Sequence, residues 1–457
     1  MHPKQVREDL QQKYGLRVLR IYMDTSAQDR PLAVITLLER DGNVAGLLTA
    51  SLPQLGFNLH QRAGPYACLA LPATYCIPKH VVGALKSWLT EGQVATEPLW
   101  LRLSVPHGLL AAVPWEELLQ PELNVPILRL PYQSICPRRP PAPINTVICL
   151  SSPADEPDLQ ARVDAFVGQV PHDLARATEF HLFGDLATYP ALLALRDKHA
   201  GNVSIKVYDP AQAASTGNPL VANSLAGNAW LHWIETTMGE GRADVVHFLC
   251  HSHYQSESAA LKMASAPGDT PDTAHPCLVQ ANELISFLDH VGAWCAAFTS
   301  APAEHSAAGM HMLQTEIARS RPGPLLVHDM NVAHSTDALG AAYRFLFSSG
   351  QLPPASPAVA LYCHPILMAE QGIDEESNRQ LVEFTLDGRL GEGLHHNSLP
   401  GWVLSSQRKL EVTAGSLADA QEHDQDSGRV RARKLVLEAV TDYAMATTQD
   451  PAAGGEK

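Results

Sequence analysis

The chain has little charge, no paired-cysteine motif and no long apolar run. Asp, Glu, Lys and Arg make up 18% of its 457 residues, below the ~25% usual for soluble domains. That shortage excludes a largely disordered polar chain and points to a well-buried globular one. The 33 basic residues against 48 acidic ones leave a net charge of −15. No basic stripe stands out, which argues against nucleic acid or an anionic membrane as a direct partner.

The eight cysteines, Cys68, Cys76, Cys136, Cys149, Cys250, Cys277, Cys295 and Cys363, never form a CxxC pair. Several sit inside apolar runs, as buried free thiols do, so a reducing, cytoplasmic setting is expected. No stretch approaches the ~20 apolar residues that cross a bilayer, and the N-terminal MHPKQVREDLQQ lacks the apolar core of a signal peptide. A P-loop, a strand-linked G-x-G-x-x-G and a G-x-S-x-G elbow are also missing, which disfavours nucleotide binding and α/β-hydrolase chemistry.

What is present is alternation. Residues 1–98 hold the strand-like RVLRIYM and LAVITLLE and the helical KHVVGALKSWLTEG. A second segment opens at LWLRLSVP and meets a linker, CPRRPPAPIN (136–145), whose prolines make it extended. Strand and helix patterns then alternate: TVICLSS, DLQARVDAFVGQ, FHLFG, YPALLALRDKHA, VSIKVYD, SLAGNAWLHWIETTMGE, DVVHFLCH, ANELISFLDHV, AWCAAFTSA, SAAGMHMLQTEIARS, LLVHDM, TDALGAAYRFLFSSG and AVALYCHP. Such alternation predicts an α/β fold with a mostly parallel sheet and helices on both faces. Three regions are expected: 1–98, 99–364 and a C-terminal extension, 365–457, whose GWVLSSQRKLEVTAG reads as strand or hairpin and whose end reads as disordered.

The run Val245–Cys250 ends in His251, Ser252 and His253. Ligands and chemistry in α/β sheets gather at the carboxyl ends of strands, so His251 is the first candidate. A zinc site would need a third ligand and supporting carboxylates, which the following Tyr254, Gln255 and Ser256 do not supply. A histidine–thiol pair is the better reading, with the nucleophile at the carboxyl end of the next strand, AWCAAFTSA. Cys295 is the nearest cysteine, but it lies near that strand's start, roughly 20 Å from the edge at ~3.3 Å per residue. It reads as a core thiol and as the second-choice nucleophile. Thr299 and Ser300 are weaker alternatives, because hydroxyls need stronger activation.

LSVPHGLLAAVPWEELL (103–119) resembles the opening motif of the CHAT family of caspase-related peptidases, through Val105-Pro106-His107-Gly108, Leu110, Pro114, Trp115, Glu116 and Leu118. DVVHFLCHS is similar to the family's histidine strand, with Ser252 where glycine is usual, and PLLVHDMNVAHSTDALGAAYRFLF to its closing strand and helix. The resemblance spans about residues 99–350. It implies a caspase-like fold, a structural His247 and a catalytic His251. LVQANELISFL takes the place of the helix before the nucleophile strand, and the cysteine position falls on Ala301, 50 residues after His251. Either a cysteine there has been replaced by alanine, or this member is a natural pseudo-enzyme that binds a partner without cutting it.

On this reading a thiolate at 301 attacks the scissile carbonyl, and His251 protonates the leaving amine. The N–H groups of residue 301 and Ser252 would serve the oxyanion, and no metal or organic cofactor is needed. Asp329, ending LLVHDM, is the candidate for a substrate pocket that reads a basic side chain. Trp115 and Glu116 are expected to pack and brace, His247 to satisfy a core polar group, and Ser335 with Asp337 to cap a helix. The resemblance further implies a protein substrate, a regulatory or sensor protein, and a bacterial defence or cell-death setting.

Overall fold

A computed structural model describes residues 10–368, except residue 12 and residues 27–30, 58–73, 91–96, 134–135, 137–138, 152–160, 162, 169–176, 217–227, 256–257, 265, 269–275, 301–305 and 349–350. These residues belong to the first of two compact units, Met1–Asp387. The second unit, Gly388–Lys457, and with it the expected C-terminal strand and tail, lies outside the described residues.

The strands are β1 (Val18–Asp24), β2 (Leu32–Leu38), β3 (Val44–Ser51), β4 (Leu99–Leu103), β5 (Ile127–Arg129), β6 (Ile144–Ser151), β7 (Thr178–Gly184), β8 (Ser204–Tyr208), β9 (Val245–Gln255), β10 (Ser258–Ala264), β11 (Pro276–Gln280), β12 (Cys295–Ser300), β13 (Leu325–Asp329) and β14 (Val359–Tyr362). The α-helices are α1 (Lys79–Thr90), α2 (Trp115–Leu123), α3 (Tyr189–His199), α4 (Ala229–Met238), α5 (Ala281–His290), α6 (Ser306–Ser320) and α7 (Ser335–Phe347).

Twelve strands lie in the order β3-β2-β1-β4-β5-β14-β13-β12-β9-β6-β7-β8. From β13 to β8 all neighbours are parallel, and so are those from β1 to β14. The two blocks meet antiparallel at β13 and β14, with β2 and β3 antiparallel at the outer edge. The chain is thus an α/β protein with a large, mostly parallel mixed sheet. Its first three strands extend the same sheet through the β1–β4 pairing.

Helices cover both faces, which is why the central strands read as unbroken apolar runs. On one face Val246, Phe248, Ala296, Phe298 and Val327 pack with apolar residues of α1, α2, α4, α5 and α6. On the other, Val245, Leu249, Ala297 and Leu326 pack with α3, α7 and the helical stretch 163–168. No helix among the described residues is long and apolar enough to cross a membrane.

Local sequence sets the helix ends. Asn228 caps α4 by accepting from the N–H groups of Trp230 and Leu231. Gln280 and Glu283 form a capping box at α5, so PCLVQ remains a strand and the helix read into LVQANELISFL starts only at Ala281. Asn124, left-handed at φ 53°, closes α2. At α7 the expected cap does not form. His334, at φ 56°, occupies the cap position without a side-chain bond, Ser335 is the first helical residue, and Asp337 lies in the first turn.

Candidate functional site

β9 does not stop at His251. Residues Val245 to Cys250 pair in parallel with β6 and β12. From His251 to Gln255 the strand leaves the sheet and pairs antiparallel with β10, whose other edge carries β11. His251 is therefore the first residue past the parallel sheet, opposite Lys262 on β10, and only 9% of its surface is exposed. A hairpin after the histidine is legible only once the pairing of SAALKMA and PCLVQ is known.

The carboxyl edge of the parallel block is level. Ser151, Cys250, Ser300 and Asp329 occupy one row across β6, β9, β12 and β13. Ser300, fully buried, is the last described residue of β12, and Ala301 lies outside the described residues. Cys295 begins β12 opposite Val245, at the far end of the strand from His251. It is fully buried, and burial pushes its thiol up to about 12, with Arg321 a smaller opposing influence. The structure does not bring Cys295 to His251.

Side chains alternate faces along these strands. Cys250 and Phe248 face the α6 side, and Ser252 follows them, since a Cβ added at Gly309 of α6 would overlap the Ser252 side chain. His247, Leu249 and His251 form the opposite set, toward α7. Asp329 shares the row of Ser300, while its predecessor His328 bonds Thr299 on the α7 side. Asp329 is thereby turned to the α6 side, away from the face of His251. Its Oδ1 accepts from the N–H and the side-chain amide of Asn331. Burial raises the Glu117 carboxyl, and the charge of Asp329 adds to that, so α2 brings a second acid near Asp329.

Two buried polar clusters lie below this edge. On the α7 side, Tyr343 Oη is 3.1 Å from His247 Nδ1, His247 Nε2 is 2.7 Å from Thr299 Oγ1, Thr299 Oγ1 is 3.1 Å from His328 Nδ1, and His328 Nε2 is 2.9 Å from the Ser335 carbonyl. A carbonyl only accepts. With both rings neutral, His328 donates from Nε2, Thr299 donates to His328 Nδ1, His247 donates from Nε2 to Thr299, and Tyr343 donates to His247 Nδ1. Burial, followed by the neighbouring His328, lowers the His247 imidazole to about 3, which keeps it neutral.

On the α6 side, Arg129 of β5 is fully buried and donates from Nε and Nη2 to both oxygens of Glu116, at 2.6 and 2.8 Å. Nη2 also donates to His311 Nδ1 at 3.3 Å. Trp115 Nε1 donates to the Leu110 carbonyl at 2.9 Å. Trp115 and Glu116 thus pack and brace. The partners Thr299, His328, Tyr343 and Arg129 escape sequence reading. Their one local signal is a polar residue inside an otherwise apolar strand, as in LLVHD and CAAFTS, and only register makes them neighbours.

Among the described residues, a cavity of about 1000 Å³ lined by Arg139, Asp244, Asp289, Trp294 and Arg321 opens elsewhere. Asp244 and Trp294 precede β9 and β12, so it lies at the amino ends of the strands, opposite the edge where α/β sheets hold their ligands.

The fold and site define an α/β protein with a level carboxyl edge, a histidine at its centre and a hairpin beyond it. Compared with known proteins, the chain matches no family model, no curated protein and no solved structure.

Proposed function

We propose that the chain has a caspase-like fold and is built as a cysteine endopeptidase that cuts a specific partner protein, with His251 as its base and position 301 as its nucleophile site. The observation that carries this reading is the pairing of Cys250 with Ser300. His251 and residue 301 are the residues that directly follow these two. A thiolate at 301 would attack the scissile carbonyl, His251 would protonate the leaving amine, and water would then hydrolyse the thioester. Alanine at 301 makes the present chain the disarmed form. Ser252 and residue 301 remain the proposed oxyanion donors. Asp329, with Glu117 nearby, remains the proposed acidic pocket, reached from the α6 side.

The alanine itself supports a second reading, a non-catalytic caspase-like scaffold that holds its partner in the same cleft. One experiment separates the two. In the full chain carrying Ala301→Cys, alkylation of residue 301 by iodoacetamide is followed against pH by peptide mass spectrometry. The peptidase reading expects a thiol pKa below the free value of ~8.5, restored to it by His251→Ala. It also expects cleavage of a proteome-derived peptide library by the cysteine variant, lost with His251→Ala. An ordinary thiol profile indifferent to His251 favours the scaffold. Cleavage by the chain as it stands would move the nucleophile elsewhere.

A further inference from the structure

The hydrogen-bonded chain on the α7 side starts and ends on one helix. Tyr343 and Ser335 both belong to α7, and between them the bonds run through His247 of β9, Thr299 of β12 and His328 of β13. The helix is therefore tied across three adjacent strands by a belt in which each donor has an acceptor. Every member is buried, from 0% exposure at His247 to 4% at Ser335. Phe166 closes over the belt, with its ring edge-on to His247 at 5.4 Å and to Tyr343 at 5.0 Å.

The position of the belt is specific. His247 lies on the same face of β9 as His251, four residues earlier. Thr299 directly precedes Ser300, the last described residue of its strand, and His328 directly precedes Asp329. Moving one strand by a single residue, ~3.3 Å, would break bonds on both sides of it and leave buried donors unmatched.

We propose that Tyr343, Thr299 and His328, acting with His247, are positioning residues that fix the register of the carboxyl ends of β9 and β12, the strand ends that the proposed base and nucleophile positions directly follow. The proposal rests on the reading of those two positions as a dyad.

The test uses the full chain carrying Ala301→Cys, with iodoacetamide alkylation of residue 301 as the readout. Thr299→Val keeps the side-chain shape but removes both bonds. It is expected to raise the thiol pKa toward the free value and slow alkylation at pH 7 about tenfold. Thr299→Ser keeps the hydroxyl and is expected to retain the parent profile. Tyr343→Phe removes only the terminal donor and is expected to slow alkylation by a smaller factor; it decides the matter if Thr299→Val does not fold. A folded Thr299→Val or Tyr343→Phe protein with a parental profile overturns the positioning role alone. An Ala301→Cys profile indifferent to His251 overturns the dyad reading, and this proposal falls with it.

Discussion

His247 and Thr299, 52 residues apart in sequence, are joined by a 2.7 Å hydrogen bond inside the sheet. His247 donates to Thr299 from Nε2 and accepts from Tyr343 at Nδ1; a proton on Nδ1 removes that acceptor, so protonation of the ring opposes the fold. Its pKa falls from an ordinary 6.5 to about 3 on burial. The unfolded chain therefore binds a proton that the folded chain refuses between these pH values, and stability present above pH 6.5 is lost as pH falls toward 3. The loss assigned to His247 is about 2–3 kcal/mol between pH 7 and 4.5. Urea denaturation of His247→Gln should start from a lower stability at pH 7 and decline less steeply than the parent. Parallel curves would remove His247 from the account.

The Glu116–Arg129 pair should behave as a buried ion pair with nowhere to relax. Arg129→Met leaves a carboxylate buried without its partner and is expected to cost about 3–5 kcal/mol. The double variant Glu116→Leu, Arg129→Met should recover most of that loss, because no charge is left in the core. Urea midpoints of the single and double variants provide the comparison.

Gly309 is a contact glycine. Its φ needs no special conformation, but a Cβ there meets Ser252 Oγ and Cβ. Gly309→Ala should destabilise by about 1–3 kcal/mol, and Ser252→Gly in the same chain should relieve much of this. Additive losses in a double-mutant cycle would place the clash elsewhere.

Thiol labelling of the native chain should separate the cysteines by burial. Cys76 is exposed, with its Sγ donating to the Gln54 carbonyl at 3.1 Å. Cys149, Cys250, Cys295 and Cys363 are buried, and burial raises each thiol. A disulfide reagent at pH 8 is expected to modify Cys76 within minutes and the four buried thiols only in denaturant. Rapid native reaction of Cys295 would mean that the start of β12 opens.

Elements whose signal is local were legible in the chain. From FHLFG to TDALGAAYRFLF the strands of the parallel block read as apolar runs and the helices as longer mixed segments, because strands covered on both faces cannot carry many polar side chains. His251 stood out for the same reason, as the polar end of such a run. The hairpin of β10 and β11 did not stand out. SAALKMA and PCLVQ are short, and what makes them strands is their pairing with each other and with HSHYQ. β3 and β5 were likewise silent. The Ser335 cap did not form: Ser335 is the first helical residue, its carbonyl receives the His328 ring across the packed core, and His334 takes the cap position.

The amino-acid sequence by itself determined the alternation of strands and helices, the apolar faces and the histidine that ends a buried run. All of these follow from side-chain chemistry within a window of a few residues. The tertiary structure alone decided which strands are neighbours, that two parallel blocks meet head to tail at β13 and β14, and that Cys295 and Asp329 are turned or set away from His251. It also decided that Tyr343, His247, Thr299 and His328 form one hydrogen-bonded belt. These depend on register between segments far apart in the chain. A register is a property of two strands packed together, and no single strand encodes it.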